Sequence, residues 1–306
     1  MLKSLDSFID ITKNISNVKI AVAAAEDLTT LTALREITKK NIAEPILVGD
    51  KDMIESICAI IDYDVSKFQI INIKNKIDAC RTAVELVKSG YAHVLTRGAI
   101  ETPDYLRPIL NKEHGLKISP LVSQAAFVEI PSYSKVFAFT DSGINISPDV
   151  NDKAQMIRQC VSVFHRLGVM NPKVAVIAAT EGVKTVMPST VDAALLTQMN
   201  RRGSIPGCIV DGPLSIDLAF SKESAIHKGI ISEVAGDVDL IVLPDINAAN
   251  IFYKTATFLG RARAASFIIG TSAPVDFPSR SDSVETKFYA MVCAVAQCSK
   301  IQGLDK

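Results

Sequence analysis

Short apolar runs alternate with helical patterns along this chain, and this alternation constrains its fold more than any other feature of the sequence. In the first half, the runs 18–25 and 44–49 are rich in small and β-branched residues, and the helical patterns 27–41 and 51–62 follow them. Strands separated by helices of this length are typical of βαβ units, in which helices cover a parallel sheet. The sequence therefore predicts an α/β fold with mainly parallel sheets.

The second half repeats the alternation, and a Pro/Asp/Asn-rich stretch at 145–149 separates the two halves. A chain of 306 residues, 48% of them hydrophobic, is long enough for two cores, so we predict two domains that meet near this stretch. The other predicted strands are 68–73, 92–96, 121–130, 136–140, 173–179, 207–213, 240–244 and 265–270. The other predicted helices are 77–89, one from Thr102 or Pro103, 153–167, 191–200, 248–259 and 284–297.

Composition argues against several classes of function. Lys and Arg together number 33, as do Asp and Glu, so no basic excess indicates nucleic-acid binding. The six cysteines are scattered without a CxxC pair, and apolar runs are shorter than the roughly 18 residues of a membrane span. The first residues lack the pattern of a signal peptide. We expect a cytoplasmic protein with reduced cysteines and neither nucleic-acid nor membrane partners.

A polar segment at 279–283, with the sequence SRSDS, precedes the last predicted helix and suits the recognition of a phosphate-like anion. The N–H groups of a first helical turn are unpaired, and the helix dipole is positive there. Arg280 adds a planar fork that fits two phosphate oxygens. Asp282 would repel a phosphate, so it is a candidate base, orienter or cap. The alternative is an ordinary Ser/Asp helix cap beside a solvated arginine.

Polar residues also follow several of the predicted strands. In open α/β sheets, ligands bind outside the carboxyl ends of the strands, so these residues are expected to line one crevice, although each could equally be a turn residue. The four sets are Thr96-Arg97-Gly98, Thr140-Asp141-Ser142, Asp211-Gly212 and Pro244-Asp245-Ile246-Asn247.

Three familiar motifs are missing from the sequence. Residues 23–27, AAAED, follow the first strand where a dinucleotide fold would carry GxGxxG, and neither a P-loop nor a GxSxG elbow occurs. The four histidines are far apart in sequence and lack the spacing of zinc ligands. The sequence therefore predicts no metal site, no P-loop ATP site and no α/β-hydrolase triad.

Nine sequence blocks occur together in an order that resembles the phosphate acetyl/butyryl transferase family, and within it most of all the phosphate butyryltransferases. The blocks are 23–27, 43–50, 140–146, 187–194, 209–217, 227–230, 234–239, 244–254 and 279–283. They extend over nearly the whole chain. The most specific combination is DGPL in the fifth, AGDVD in the seventh and SRSDS in the last.

The resemblance implies that the protein is an enzyme catalysing acyl-CoA + phosphate ⇌ acyl phosphate + CoA, with butyryl-CoA as the expected acyl donor and acetyl-CoA as the alternative. Coenzyme A would be a substrate, with no permanently bound cofactor. It also implies two three-layer α/β domains like those of isocitrate and isopropylmalate dehydrogenases, with the active site in the interdomain cleft. The domains would be 1–144, completed by the returning segment 270–306, and 145–269. A homodimer or larger homo-oligomer is expected.

Residue roles follow from what this chemistry needs. A thiol that attacks an acyl phosphate needs a base, and the oxygen of the tetrahedral intermediate needs a donor. We assign the base to Asp282 (Glu285 is an alternative), the donor to Ser279 and phosphate binding to Arg280 first and Arg97 second. No cysteine stands in a nucleophile setting, so direct attack in a ternary complex is expected. The other predicted substrate-binding residues are Thr140, Asp141, Asp211, Asn250, Lys254 and Ser283.

Two departures from the family pattern bear on these roles. Thr96 and Arg97 stand where butyryl-directed members would carry a Lys-Gly type pair, and Thr286 stands where acetyl-directed members carry a carboxylate thought to deprotonate the thiol. Two other functions therefore stay open. One is a metal- and NAD-dependent decarboxylating dehydrogenase of the same fold, which would use Asp141, Asp211 and Asp245 as metal ligands. The other is a non-catalytic protein that binds acyl-CoA or phosphate.

Overall fold

The computed structural model describes residues 2–299 and divides into two compact units. Unit A consists of Asp6–Val122 and the segment that begins at Ala264, and unit B consists of Ser123–Arg263 with the first residues of the chain. The predicted domains 1–144 with 270–306, and 145–269, stay a prediction, because compact units need not fold independently. Residues 300–306 of the predicted returning segment lie outside the described residues.

The chain alternates between strands and helices as the sequence predicts. The strands are β1 Lys19–Ala23, β2 Glu44–Gly49, β3 Gln69–Asn72, β4 Val94–Arg97, β5 Ser123–Glu129, β6 Phe137–Thr140, β7 Lys173–Ile177, β8 Ile209–Leu214, β9 Leu240–Val242, β10 Arg263–Ile269 and β11 Val275–Asp276. The helices are α1 Asp6–Thr12, α2 Leu28–Lys39, α3 Lys51–Ile60, α4 Lys76–Lys88, α5 Thr102–Ile109, α6 Val150–Arg166, α7 Pro188–Arg201, α8 Ile216–Phe220, α9 Lys222–His227, α10 Ile246–Lys254 and α11 Val284–Ala296.

In unit A the strands are arranged in the order β3-β2-β1-β4-β11-β10, and all neighbours are parallel except the antiparallel pair β10 and β11. Successive crossovers run in one direction from β1 to β3 and then return to β4. In such sheets this reversal marks the place where ligands bind, beyond the carboxyl ends of the strands. Gly98 lies at this end of β4, where an added Cβ would come within 2.0 Å of the Ala24 carbonyl oxygen. Only glycine fits this close approach.

Helix α11 forms part of the core of unit A. Every residue from Lys287 to Ala296 is buried, as expected for a helix that is apolar nearly all round. It packs against α1, α2 and β11. Because its first turn comes soon after β11, the polar segment 279–283 is held at the junction between the sheet and this helix.

In unit B the strands are arranged in the order β5-β6-β9-β7-β8, with β5 antiparallel to β6 and the other pairs parallel. The predicted α/β class with mainly parallel sheets is therefore confirmed. Polar caps begin the helices that follow the strands: Asp149 forms a capping box with Asp152 at α6, and Asp245 accepts an N–H from Ala248 at α10. Among the described residues, no helix is long and apolar enough to cross a membrane.

Several element bounds differ from the predictions. Four short elements, α1, α8, α9 and β11, were not predicted from the sequence. Helix α6 begins three residues earlier than predicted, because Asp149, which was assigned to a linker, caps the helix. The predicted helix 248–259 is α10 followed by a π-helical turn, Thr255–Leu259. Short elements depend on tertiary partners rather than on local periodicity, so they leave little signal in the sequence.

Candidate active site

The segment 279–283 forms a turn that leads directly into α11. Ser283 is the N-cap of the helix, and its hydroxyl accepts the N–H of Thr286 at 3.1 Å. The Ser/Asp helix cap expected as the alternative is therefore present, but Ser283 forms it and Asp282 does not. Its Oδ2 instead accepts the Ser279 N–H at 2.8 Å, while its own N–H donates to the Ser279 carbonyl at 3.1 Å. This reciprocal pair fixes the backbone of the turn that carries Ser279 and Arg280.

Arg280 presents its guanidinium at the surface of unit A. Its side chain is 56% exposed, and its Nη1 lies 2.5 Å from Oε1 of Glu101, the residue before α5. An ion pair between exposed side chains is weak, so an anion with more negative charge could displace Glu101. Ser279 is half-buried beside it, with its hydroxyl 3.1 Å from the Ser281 hydroxyl. The geometry suits a phosphate site.

Arg97, the second predicted phosphate ligand, is buried at the end of β4. Its guanidinium donates to the carbonyls of Ile100 and Pro278 and to the Thr102 hydroxyl, at 2.8–3.1 Å. Burial lowers the pKa of Arg97, and the positive charge of nearby Arg280 contributes to the same effect. Arg97 thus holds the backbone before Ser279 and adds positive charge close to Arg280. Direct contact with phosphate stays a prediction.

Asp276, which the sequence analysis did not single out, lies fully buried in β11 three residues before Ser279. Its Oδ1 accepts the backbone N–H of Arg97 at 2.9 Å. Its Oδ2 and the hydroxyl of Thr96 are both buried without a hydrogen-bond partner. Burial raises the pKa of Asp276 to about 7, although the N–H of Arg97 and the nearby Thr96 hydroxyl act in the opposite direction. No local sequence signal marks this residue, because β11 has only two residues.

In unit B, Asp141 organises the loop that follows β6. Its carboxylate accepts the N–H groups of Gln124, Gly143, Ile144 and Asn145 at 2.9–3.3 Å, and the Asn145 side-chain amide at 2.7 Å. Burial nevertheless raises the pKa of Asp141, against the effect of these hydrogen bonds. Asp141 therefore holds the β6 loop, and its direct contact with a substrate stays a prediction.

Thr140 and Asn250 belong to the same part of unit B. The buried Thr140 hydroxyl donates to the Gln124 carbonyl at 2.8 Å, and Asn250 on α10 donates to the Ser142 carbonyl at 3.2 Å. The structure thus brings Thr140, Asp141 and Asn250 together around the β6 loop. Lys254, one turn along α10 from Asn250, lies with its ammonium 5.1 Å from the Tyr253 ring centre and 5.7 Å from that of Phe258.

The predicted position of Asp211 at a strand end is wrong. Strand β8 continues to Leu214, and Asp211 pairs with Ala175 inside the sheet. The strand had been predicted to stop at the Gly-Pro pair, which instead continues the pairing. The residue at the carboxyl end is Ser215, and its hydroxyl lies within hydrogen-bond distance of the carboxylates of Glu181 and, at 2.5 Å, of Asp217. A substrate role for Asp211 stays a prediction without geometric support.

The six cysteines are all buried, and each is a thiol rather than half of a disulfide. Burial raises the pKa of the Cys58 and Cys208 thiols to about 11 and that of Cys80 to about 12, and it raises the pKa of Cys160 as well. Thiols in this state are poor nucleophiles. Within residues 2–299, no group of three His, Cys, Asp or Glu side chains is arranged to hold a metal ion.

Comparisons with known proteins agree with the resemblance. The model of the phosphate acetyl/butaryl transferase family matches residues 9–80 and 74–295. The chain is 43% identical to a phosphate butyryltransferase of Clostridium beijerinckii, over 96% of this chain and 97% of that protein. It is 41% identical to a phosphate acetyltransferase of Thermotoga maritima, over 89% of this chain and 92% of that protein.

A solved structure shows the same fold. It is the crystal structure of a branched-chain phosphotransacylase from Enterococcus faecalis V583, which superposes with a TM-score of 0.80 at 30% identity and covers 92% of this chain and 98% of that one. These matches support a phosphate acyltransferase over the two open alternatives, a dehydrogenase and a non-catalytic binding protein. The chain belongs to the phosphate acetyl/butaryl transferase family, and it is a phosphate acyltransferase.

Proposed function

We propose that this enzyme transfers a butyryl group between coenzyme A and phosphate, with acetyl-CoA as the alternative donor. Phosphate butyryltransferases at 43% and 42% identity over 96% of the chain support the butyryl group, although an acetyltransferase at 41% is nearly as similar. The observation that carries the proposed site is the surface guanidinium of Arg280. It is fixed on a turn beside buried Arg97, and its Nη1 pairs with the exposed carboxylate of Glu101.

Phosphate binding is the first step that these residues explain. Arg280 leaves Glu101 and donates two N–H groups to phosphate oxygens, as a planar guanidinium does well. Arg97 holds the Pro278 carbonyl and adds positive charge behind Arg280. Ser283 caps α11, and this helix start adds the positive end of its dipole.

Acyl transfer then proceeds by direct attack. From acyl-CoA, a phosphate oxygen attacks the carbonyl carbon, a C–O bond forms, and the C–S bond breaks to release the thiolate of CoA. The Ser279 hydroxyl donates to the carbonyl oxygen as negative charge develops on it. In the reverse direction, the Asp282 carboxylate takes the thiol proton before sulfur attacks the acyl phosphate, and Glu285 is the alternative base. The raised pKa values of the buried cysteines support a mechanism without an acyl-cysteine intermediate.

Unit B carries predicted substrate-binding residues of its own. The Lys254 ammonium and the exposed Asn250 amide offer donors to the phosphates of CoA, and Thr140 and Asp141 keep the β6 loop in shape.

We also propose that the enzyme is cytoplasmic and that it forms a homodimer or a larger homo-oligomer. Light scattering on the purified protein would measure the oligomeric state, and a monomer at micromolar concentration would contradict it.

The decisive experiment measures thiol release from butyryl-CoA and from acetyl-CoA, each with and without phosphate. Phosphate-dependent release is expected, faster with butyryl-CoA. In Arg280→Ala, we expect turnover to fall by about 10² to 10³ and KM for phosphate to rise, because a charge-stabilising contact is lost. Arg81→Ala is the matched control, since Arg81 is equally exposed and pairs with Asp78 elsewhere in unit A. Normal phosphate kinetics in Arg280→Ala would overturn the assignment.

A further inference from the structure

The carboxyl group of Asp276 stands at the centre of the contacts that shape the phosphate-binding turn. Its Oδ1 accepts the Arg97 backbone N–H at 2.9 Å, and the Arg97 guanidinium in turn donates to the Pro278 carbonyl at 3.1 Å. Ser279 and Arg280 follow directly in the chain. Any change at Asp276 is therefore transmitted to the turn by two routes, through Arg97 and through the short backbone 277–278.

Asp276 lacks the partners that a buried carboxylate needs. It is fully buried, and Oδ2 has no hydrogen-bond partner, although the equally buried hydroxyl of Thr96 is near it. A buried ionised carboxylate with one N–H donor is poorly stabilised, whereas the protonated acid avoids the cost of burying a charge. The geometry therefore favours the neutral acid, in agreement with a pKa of about 7.

The charged and titratable groups around Asp276 come from three elements of unit A. From β4 comes Arg97, and from α11 comes the Lys287 ammonium, which is already paired with Asp27 at 2.6 Å. From α5 comes Tyr105, whose hydroxyl donates to the backbone carbonyl of Asp276 at 3.2 Å. On β10, Phe267 pairs with Asp276 and brings no charge. Two cations are thus close, but neither donates a side-chain hydrogen bond to Oδ2.

We propose that Asp276 is a positioning residue that makes phosphate affinity at the 279–283 turn depend on pH near neutrality. This inference rests on the proposed function, since it takes that turn as the phosphate site. When Asp276 is protonated, Arg97 and Arg280 present their full positive field to phosphate. When Asp276 ionises, it adds a buried negative charge beside Arg97 and weakens that field, so phosphate affinity falls as pH rises through neutrality.

The test measures the dissociation constant of inorganic phosphate by ³¹P NMR line broadening for the wild type and Asp276→Asn, between about pH 6 and about pH 8. Phosphate itself titrates in this range, but the ratio of the two constants cancels its contribution. We expect the wild-type constant to equal that of the variant at the lower pH and to exceed it by about threefold to tenfold at the higher pH. A ratio independent of pH overturns the proposal, because a merely structural role shifts affinity equally at all pH values.

Two further variants make the test selective. Asp78→Asn removes an exposed carboxylate from the same unit and is expected to leave the pH dependence of the wild type unchanged. Thr96→Val removes the hydroxyl that lowers the Asp276 pKa, so the fall in phosphate affinity should occur at higher pH than in the wild type. If the pH at which affinity falls does not change, the proposal is contradicted, even if Asp276→Asn does not fold. Because this binding assay needs no turnover, its outcome is separate from that of the thiol-release assay. Phosphate-dependent thiol release with a constant ratio would refute this inference alone.

Discussion

The Lys287 ammonium lies 2.6 Å from Oδ1 of Asp27, and this ion pair joins the last helix to the start of the second, 260 positions away in sequence. Lys287 also donates to the hydroxyls of Thr29 and Thr30, and Asp27 caps α2 by accepting the Thr30 N–H. Burial alone would raise the pKa of Asp27, but the hydrogen bonds from Lys287 and Thr30 outweigh it and lower the pKa to about 2. The buried lysine is thus fully partnered.

Asp27→Ala should destabilise unit A strongly, because it removes a helix cap and leaves the buried Lys287 charge unpaired. We expect a loss of about 3–5 kcal/mol, measured by urea unfolding. Adding Lys287→Met should restore part of that loss, since the unpaired charge is then gone. Asp10→Ala is the control, because its pair with Lys13 is exposed. Equal stability of the single and double variants would show that the buried charge is not the cause.

A second ion-pair network explains the AGDVD block, one of the most specific motifs of the chain. Lys135 is buried and lies 2.7 Å from both Asp237 and Asp239, and Lys173 lies 2.7 Å from Asp237. These residues precede or begin β6, β7 and β9, at the amino end of the sheet. Ligands bind at the opposite, carboxyl end in this class of sheet. The motif therefore serves structure rather than substrate binding.

Lys135→Met should separate these two roles. Loss of the buried ammonium leaves Asp239 without its ionic partner, while Asp237 keeps Lys173. We expect the free energy of unfolding, measured with urea, to fall by about 2–4 kcal/mol. KM for phosphate and for butyryl-CoA should stay within about twofold of the wild type, as expected for a change that does not touch the site. A large rise in either KM with unchanged stability would place the motif in the active site instead.

Much of the fold could be predicted because strands and helices of ordinary length leave a periodic pattern, as β2 shows with bounds identical to its prediction. Strand β11 could not be predicted, since two residues carry no periodicity, and Asp276 was missed with it. The partners of Arg97 were equally hidden: the Pro278 carbonyl is 181 positions away in sequence. A sequence reveals which residue types are present, whereas burial and long-range hydrogen bonds decide whether each binds a ligand or holds a loop.

Asp276→Asn should raise the stability of the enzyme above neutral pH. The Asp276 pKa is raised from 3.8 to about 7, so the folded state retains a proton that the unfolded state releases. Stability from this group is therefore present below the unfolded pKa and declines as pH rises toward 7. A pKa shift of this size corresponds to a loss of at most roughly 4 kcal/mol in the free energy of unfolding at high pH. The neutral amide of Asp276→Asn does not ionise, so the variant avoids this loss. Thermal unfolding of both proteins at acidic and at alkaline pH measures the difference in stability. A variant that is less stable than the wild type at both pH values would contradict the prediction.

Asp282→Asn tests the base directly. Asparagine keeps an oxygen that can accept the Ser279 N–H, so the turn should persist while the negative charge is lost. We expect kcat to fall by about 10² to 10⁴, the usual contribution of a general base, with CoA binding near normal. The same change at Glu285, Glu285→Gln, should leave kcat nearly unaffected. If the two variants behave the other way round, Glu285 is the base, and if both are fully active, Asp282 only holds the turn.

If Arg280 binds phosphate as proposed, Glu101 competes for its guanidinium, and this competition can be measured. The two side chains are 56% and 59% exposed and lie 2.5 Å apart, so phosphate must displace the Glu101 carboxylate before it can bind both guanidinium nitrogens. In Glu101→Gln, the competing charge is gone while the shape is kept. KM for phosphate should therefore fall by about twofold to fivefold, as befits an exposed pair, and the difference from the wild type should shrink as salt screens the charges. Asp104→Asn, one turn further along α5, removes a carboxylate that pairs with Arg107 rather than Arg280, and should leave KM unchanged. A KM that rises in Glu101→Gln would mean that Glu101 orients Arg280 for phosphate instead of blocking it.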